Sequence, residues 1–186
     1  GELVEKRSES TGNHVRRVGR IVEMLGNLSG EVSDTVGMWQ MAASLHDIGK
    51  IAIPDVILYK EGSLTDEEYR FMQSHTIVGH DVLNKYDNDM MRIAATVCRS
   101  HHENWDGSGY PDRIAGEAIP VAARMTAIAD VFDALTHARS YKEAWDVDDA
   151  YRYILDHSGT KFDPDLIDRF ARLRLDLHGL LEELPD

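Results

Sequence analysis

The chain has 186 residues, 42% of them hydrophobic, enough for one domain with a sizeable core. Its 33 acidic and 20 basic residues leave a formal net charge of -13, which argues against a polyanion-binding surface of the duplex DNA type. A single cysteine excludes an intrachain disulfide and fits a reducing cytoplasm, and no run of about 18 apolar residues points to a membrane.

Taken in order, the pattern reads as helices joined by short loops, with no internal repeat or low-complexity linker. Residues 12–27 place Val15, Val18, Val22 and Leu25 at helical spacing. Ser33 and Asp34 predict the cap of a second helix running to about His46 and stopped by Gly49. The stretch from Ile51 to Asp55 breaks the pattern, because Pro54 forbids a continuous helix. Thr65 followed by Asp66, Glu67 and Glu68 marks a helix start, and that helix is expected to run through His75 to about Lys85. Residues 89–101 form another helix, ending near His101 and His102. A loop rich in Gly and Pro spans Glu103 to Pro120. Val121 to Thr136 is apolar at helical period, and Asp146 starts a helix through Leu155. Phe162-Asp163-Pro164 opens a last helix, with proline in its first turn. Strong period-2 alternation is absent, so the expected fold class is all-α.

The candidate chemistry lies in histidines and acids. His46-Asp47, inside Ser44-Leu45-His46-Asp47-Ile48-Gly49-Lys50, offers one nitrogen and two oxygens within one residue step, and a carboxylate can bridge two metals. His14, His46, Asp47, His75, His101, His102 and Asp130 each fall near the middle or end of a predicted helix, or at a helix–loop join. Helix bundles build metal sites from such inward-facing side chains. Imidazole and carboxylate ligands suit iron, manganese, nickel or zinc. Five His and two Asp exceed the needs of one ion and suit two, with Asp47 as bridge. A metal pair can stabilise both the attacking and the leaving oxygens of a phosphodiester. His101 and His102 differ by about 100° in helical direction, so both reach one centre only at a helix end or a wide site. His80, His137, His157 and His178 read as ordinary core or surface histidines. Cys98 reads as a small buried hydrophobe, and Tyr141 and Trp145 stay open between base stacking and core.

His101-His102-Glu103-Asn104-Trp105-Asp106-Gly107-Ser108-Gly109-Tyr110-Pro111 resembles the signature of the HD-GYP phosphodiesterases. Leu45 to Ile51 with Ile53-Pro54-Asp55 resembles the family's HD segment, and Thr11 to Val18 its first helix. Asp130 to Thr136, Arg139-Ser140-Tyr141-Lys142, and Gly159 with Phe162-Asp163-Pro164 resemble later segments. The resemblance covers nearly the whole chain, in order. It implies an all-α HD-domain helical bundle with a dinuclear metal centre, spanning 11–178 between a linker (1–10) and a tail (179–186). The implied reaction is hydrolysis of cyclic di-GMP to pGpG, and often on to GMP. His14 and Asp130 would complete one ion's ligands beside His46 and the bridging Asp47, and His75, His101 and His102 the other's. The resemblance implies two divalent transition-metal ions, iron favoured over manganese, nickel or zinc. It places Lys50 and Asp47 in catalysis, Arg139 and Lys142 on the ligand's phosphates or guanine, and Asp133 as a further site-lining acid. Tyr110 would hydrogen-bond to the site or stack a base. Further expectations are protein partners through the Gly107–Pro111 loop, an upstream sensor or receiver domain, a homodimer, and a cytoplasmic location without nucleic-acid polymer or membrane.

One position departs from the family pattern. Many members carry a glutamate four residues before the first-helix histidine, associated with a third metal, and here that position is Ser10. Positions i and i+4 share a helix face, so neutral serine removes a ligand beside His14, and Glu9 is turned about 100° away. The expectation is a binuclear site, with the second hydrolysis to GMP in doubt. Three function classes compete. They are a cyclic di-GMP hydrolase, an HD-type hydrolase of another cyclic dinucleotide such as cyclic GMP-AMP, and a non-catalytic module that binds metal or nucleotide.

Overall fold

The computed structural model describes residues 12–137 and 144–185, and every regular element among them is helical. The elements are α1 (Gly12–Asn27), α2 (Ser33–Ala43), a 3-10 turn (Ile48–Ala52), α3 (Asp55–Leu58), α4 (Asp66–Gln73) and α5 (His75–Leu83). Then come α6 (Asp89–Ser100), a second 3-10 turn (Gly116–Ala118), α7 (Val121–Thr136), α8 (Val147–Asp156), α9 (Pro164–Phe170) and α10 (Arg174–Glu183). The all-α expectation holds. The proposed contacts at Arg139 and Lys142, together with Tyr141 and Ser10, lie outside the described residues.

The bundle forms around α1 and α7. Helix α1 buries Val15, Val18, Ile21, Val22 and Leu25, the stripe that the sequence spacing marks plus Ile21. It packs against α2 and α7, while α6 lies against α2, and α5 against both α6 and the first 3-10 turn. Helix α7 buries Ala122, Ala123, Ala127 and Ala129, small residues that let neighbouring backbones approach, with Met125, Ile128 and Phe132 filling the space between. Each fully buried large side chain, such as Leu25 or Phe132, contributes about 1.5–3 kcal/mol. No helix among the described residues is long and apolar enough to cross a membrane.

Three helix boundaries differ from the sequence expectation. The second helix ends at Ala43, and its N-cap is Val32, with no side-chain cap from Ser33 or Asp34. The ladder tightens there because Leu45 and His46 bond back three residues, to the carbonyls of Ala42 (3.0 Å) and Ala43 (3.2 Å). His46 therefore stands in a turn. The long helix expected from Thr65 keeps its capping box with Glu68 but divides at Ser74. Three consecutive side chains bond back to the carbonyls at the break, beside the backbone donors there. Ser74 Oγ donates to Phe71 O (2.6 Å), His75 Nδ1 to Met72 O (2.7 Å) and Thr76 Oγ1 to Gln73 O (2.9 Å). The last helix is likewise two, because Arg172 and Leu173 bond back three residues between α9 and α10. Residue 178, the expected domain end, falls inside α10, where Leu180 is buried. Beyond it, the carbonyls of Leu184 and Pro185 accept bonds from Arg17 (2.8 Å) and Asn13 (2.6 Å). Asp55, the last residue of the expected break, opens a single helical turn, Asp55–Leu58.

Close approach of backbone to backbone sets the position of the His46–Lys50 segment. A Cβ added at Gly49 would lie 1.9 Å from the carbonyl oxygen of His75 and 2.6 Å from the Gly79 nitrogen. No side chain rotates to relieve a clash with backbone. Gly49→Ala is therefore expected to destabilise the protein by about 1–3 kcal/mol, read as a lower urea midpoint with unchanged slope on chelator-treated protein.

Candidate metal centre

Each side chain of the centre is aimed by the end of an element. His46 Nδ1 donates to Ala43 O (2.8 Å) at the end of α2. His75 Nδ1 donates to Met72 O (2.7 Å) in the last turn of α4. His101 Nδ1 donates to Val97 O and Cys98 O (both 3.0 Å) in the last turn of α6. These carbonyls already accept a backbone N–H, His46 N at Ala43 O (3.2 Å) and His101 N at Val97 O (3.0 Å) among them, and the imidazoles add a second donor. With Nδ1 protonated, each Nε2 carries the lone pair that can ligate a metal. His14 is aimed differently, by Asp133 Oδ2 on α7 at 2.7 Å.

The Nε2 atoms converge on two carboxylates. Asp47 Oδ1 lies 3.2 Å from His75 Nε2 and 3.7 Å from His101 Nε2. Asp47 Oδ2 lies 3.3 Å from His46 Nε2 and is in ion-pair contact with Lys50 Nζ. Asp130 Oδ1 lies 3.7 Å from His46 Nε2 and 3.8 Å from His14 Nε2. The seven expected ligands thus fall into two groups, Asp47–His75–His101–His102 and His14–His46–Asp130, with ligand atoms in each group within 4.8 Å of one another. Donors that share an ion at about 2.0–2.2 Å stand roughly 3–3.5 Å apart, close to the spacings seen. Asp47 Oδ1 is buried and has no hydrogen-bond partner, a cost that a cation would remove. The donor set fits divalent metal.

Electrostatics agree. Burial pushes the Asp47 carboxyl up, but Lys50, His46 and His101 outweigh it and hold it well below the usual range. Burial also raises Asp130, and His46 and His14 bring it down below the ordinary value. His101 and His102 are pushed down by burial and by neighbouring imidazoles, which favours their neutral, ligating form.

Asp133, expected to line the substrate site, is buried behind His14 instead. Its carboxylate takes His14 Nδ1 and, from Arg17, Nε at 2.5 Å and Nη2 at 3.2 Å. Arg17 was missed as a site residue, although a charged residue three positions after His14 on the apolar stripe was the available signal. Tyr110 stacks on His102 (ring centroids 4.7 Å, 27°) and its hydroxyl is pushed up by burial. Gly109 permits this, since a Cβ there would meet the His102–Asn104 backbone at 2.4–2.5 Å. Tyr110 N also donates to His102 O (3.2 Å). Cys98 is fully buried, donates to Leu45 O, and its thiol is pushed up to about 12 by burial, so it is core. His80, His137, His157 and His178 make other bonds and stand outside both groups.

The description of the HD domain family matches residues 1–166. A 3'3'-cGAMP-specific phosphodiesterase of Vibrio cholerae is 42% identical over 183 residues, covering 98% of this chain and 35% of that protein. A cyclic di-GMP phosphodiesterase response regulator of Xanthomonas campestris is also 42% identical, over 177 residues, covering 95% of this chain and 47% of that protein. The chain thus spans half or less of these relatives' length. A cyclic GMP-AMP phosphodiesterase structure from V. cholerae shares the fold at a TM-score of 0.73 and 20% identity, over 100% of this chain and 50% of that one.

Asp133→Asn removes the charge that orients His14 and leaves the Arg17 guanidinium buried without its counter-ion. Loss of such an outer carboxylate typically costs about 10–100-fold in metal affinity. Competition titration with a chelator is expected to show that loss for one ion and little change for the group around His75.

Proposed function

Since the chain belongs to the HD domain family, we propose that it is a metal-dependent phosphodiesterase that hydrolyses cyclic di-GMP to pGpG. The observation that carries this reading is Asp47. Its two oxygens face different ligand groups, and it sits between His75 and His101 on one side and His46 on the other. That is the arrangement of a bridging carboxylate, and two divalent ions, iron favoured over manganese, nickel or zinc, would be held by the seven side chains. Bound there, divalent ions supply Lewis acidity toward phosphoryl oxygens and make water more acidic.

The chain's own residues account for the rest. His46, His75 and His101 are locked by backbone carbonyls and so need no reorganisation when the anionic phosphodiester arrives. Lys50 keeps part of its side chain exposed while its ammonium rests on Asp47. It can therefore turn a hydrogen bond toward a phosphoryl oxygen and take up charge that develops there. Arg139 and Lys142 are proposed as further phosphate contacts. With relatives named for both cyclic di-GMP and 3'3'-cGAMP at the same identity, cyclic GMP-AMP is the second substrate to test.

Asp47→Ala is expected to abolish turnover of either dinucleotide in assays that resolve pGpG from GMP, and near-normal hydrolysis would overturn the assignment. Lys50→Ala should retain both ions and lose about 100-fold in kcat, the usual scale for removing one transition-state donor. Metal analysis of protein loaded to saturation is expected to give two ions per chain, with pGpG accumulating. Three tightly held ions would sink the role assigned to Ser10.

A further inference from the structure

A cleft of about 650 Å³ opens beside His102. In a chain of net charge -13, its lining carries Arg70, Arg113 and Lys161 and no carboxylate. Both Arg113 and Lys161 are held there at a cost. Arg113 has φ 55°, the left-handed region that residues with a Cβ disfavour. Buried Glu103 keeps it so, its Oε1 accepting from Asp112 N (2.6 Å) and Arg113 N (3.0 Å). The Asp112 carboxylate is in turn gripped by Arg99 at the end of α6 (2.6 and 2.8 Å). Lys161 is fixed through its backbone, with Trp105 N donating to Lys161 O (3.1 Å) and Asp106 N to Thr160 O (2.9 Å).

The Lys161 ammonium is half-buried and forms no ion pair with a carboxylate among the described residues. Burial pushes its pKa down, against the pull of Asp130 and Asp106. The Phe162 ring (6.0 Å) and the pull of Asp130 and Asp106 offset part of that burial, but no ion pair completes it among the described residues. An anion in the cleft would give the Lys161 ammonium its partner and meet the exposed Arg113 guanidinium that the turn holds at the same lip. A cyclic dinucleotide carries two phosphates, and only the one being cleaved would need the metal ligands.

We propose that this cleft is a second anion subsite, in which Lys161 and Arg113, with the exposed Arg70, hold the phosphate that is not being cleaved. The inference rests on the phosphodiesterase reading and adds the residues that would select a dinucleotide over a simple diester. The test compares two substrates on metal-loaded protein. Cyclic di-GMP has a second phosphate; bis(p-nitrophenyl) phosphate has one phosphodiester only. Lys161→Gln and Arg113→Gln are each expected to raise KM for cyclic di-GMP about tenfold, the usual scale for a lost charge-assisted hydrogen bond, with a smaller change in kcat. For bis(p-nitrophenyl) phosphate, kcat/KM should fall less than about threefold on the same argument. Lys161→Arg should recover most of the loss, and Lys85→Gln, which removes one surface charge outside the cleft, should alter neither substrate. Metal content and circular dichroism equal to the parent's check the fold. An unchanged KM for cyclic di-GMP, or equal losses on both substrates, overturns the subsite alone. A parent protein that cleaves the simple diester yet neither binds nor cleaves cyclic di-GMP overturns the function reading, and the subsite with it.

Discussion

Asp47 is nearly sealed from water at 6% exposure, yet its carboxyl is held in the charged form. Removing a carboxylate from water costs several kcal/mol unless other groups replace the solvent. Lys50 and the Nε2 atoms of His46, His75 and His101 surround it. Each of those imidazoles is desolvated in turn and needs a partner behind it. The partners are the carbonyls of Ala43, Met72, Val97 and Cys98, all in the last turns of helices. One hydrogen bond therefore does two things: it caps a helix C-terminus and aims a ligand nitrogen inward.

This explains where sequence reasoning failed on the fold. Helical periodicity registers which face is apolar, and α1, α6 and α7 were legible for that reason. It does not register side chains that bond to carbonyls three residues back. Ser74, His75 and Thr76 have no apolar signature that would separate α4 from α5, and His46 continues the pattern of α2 as well as any residue. The breaks appear only once the imidazoles are seen to need those carbonyls.

The candidate ligands were legible because motifs in a resembling family name them by position, and the structure brings all seven into two groups. Their supports were less visible. The resemblance implies Asp133 as a site-lining acid. A motif match cannot tell that His14 and Arg17, over a hundred residues away, claim its oxygens. Glu103, next to two ligands, opens the expected loop, and nothing in the sequence shows that its Oε1 organises the turn at Asp112 and Arg113.

The two ligand groups also differ in how the chain supports them. His75, His101 and His102 are aimed or packed by contacts inside residues 44–111, among them the Tyr110 stack and the Met72 and Val97 carbonyls. His14 depends on Asp133, which depends on Arg17, whose guanidinium also reaches Leu184 O beyond α10. Asn13 adds a bond to Pro185 O. That support joins opposite ends of the described chain, so local opening at α1 or α10 would be expected to loosen the His14 group before the His75 group. The His14 end of the site is thus the end whose geometry relies on long-range contacts, and variation in metal occupancy should concentrate there.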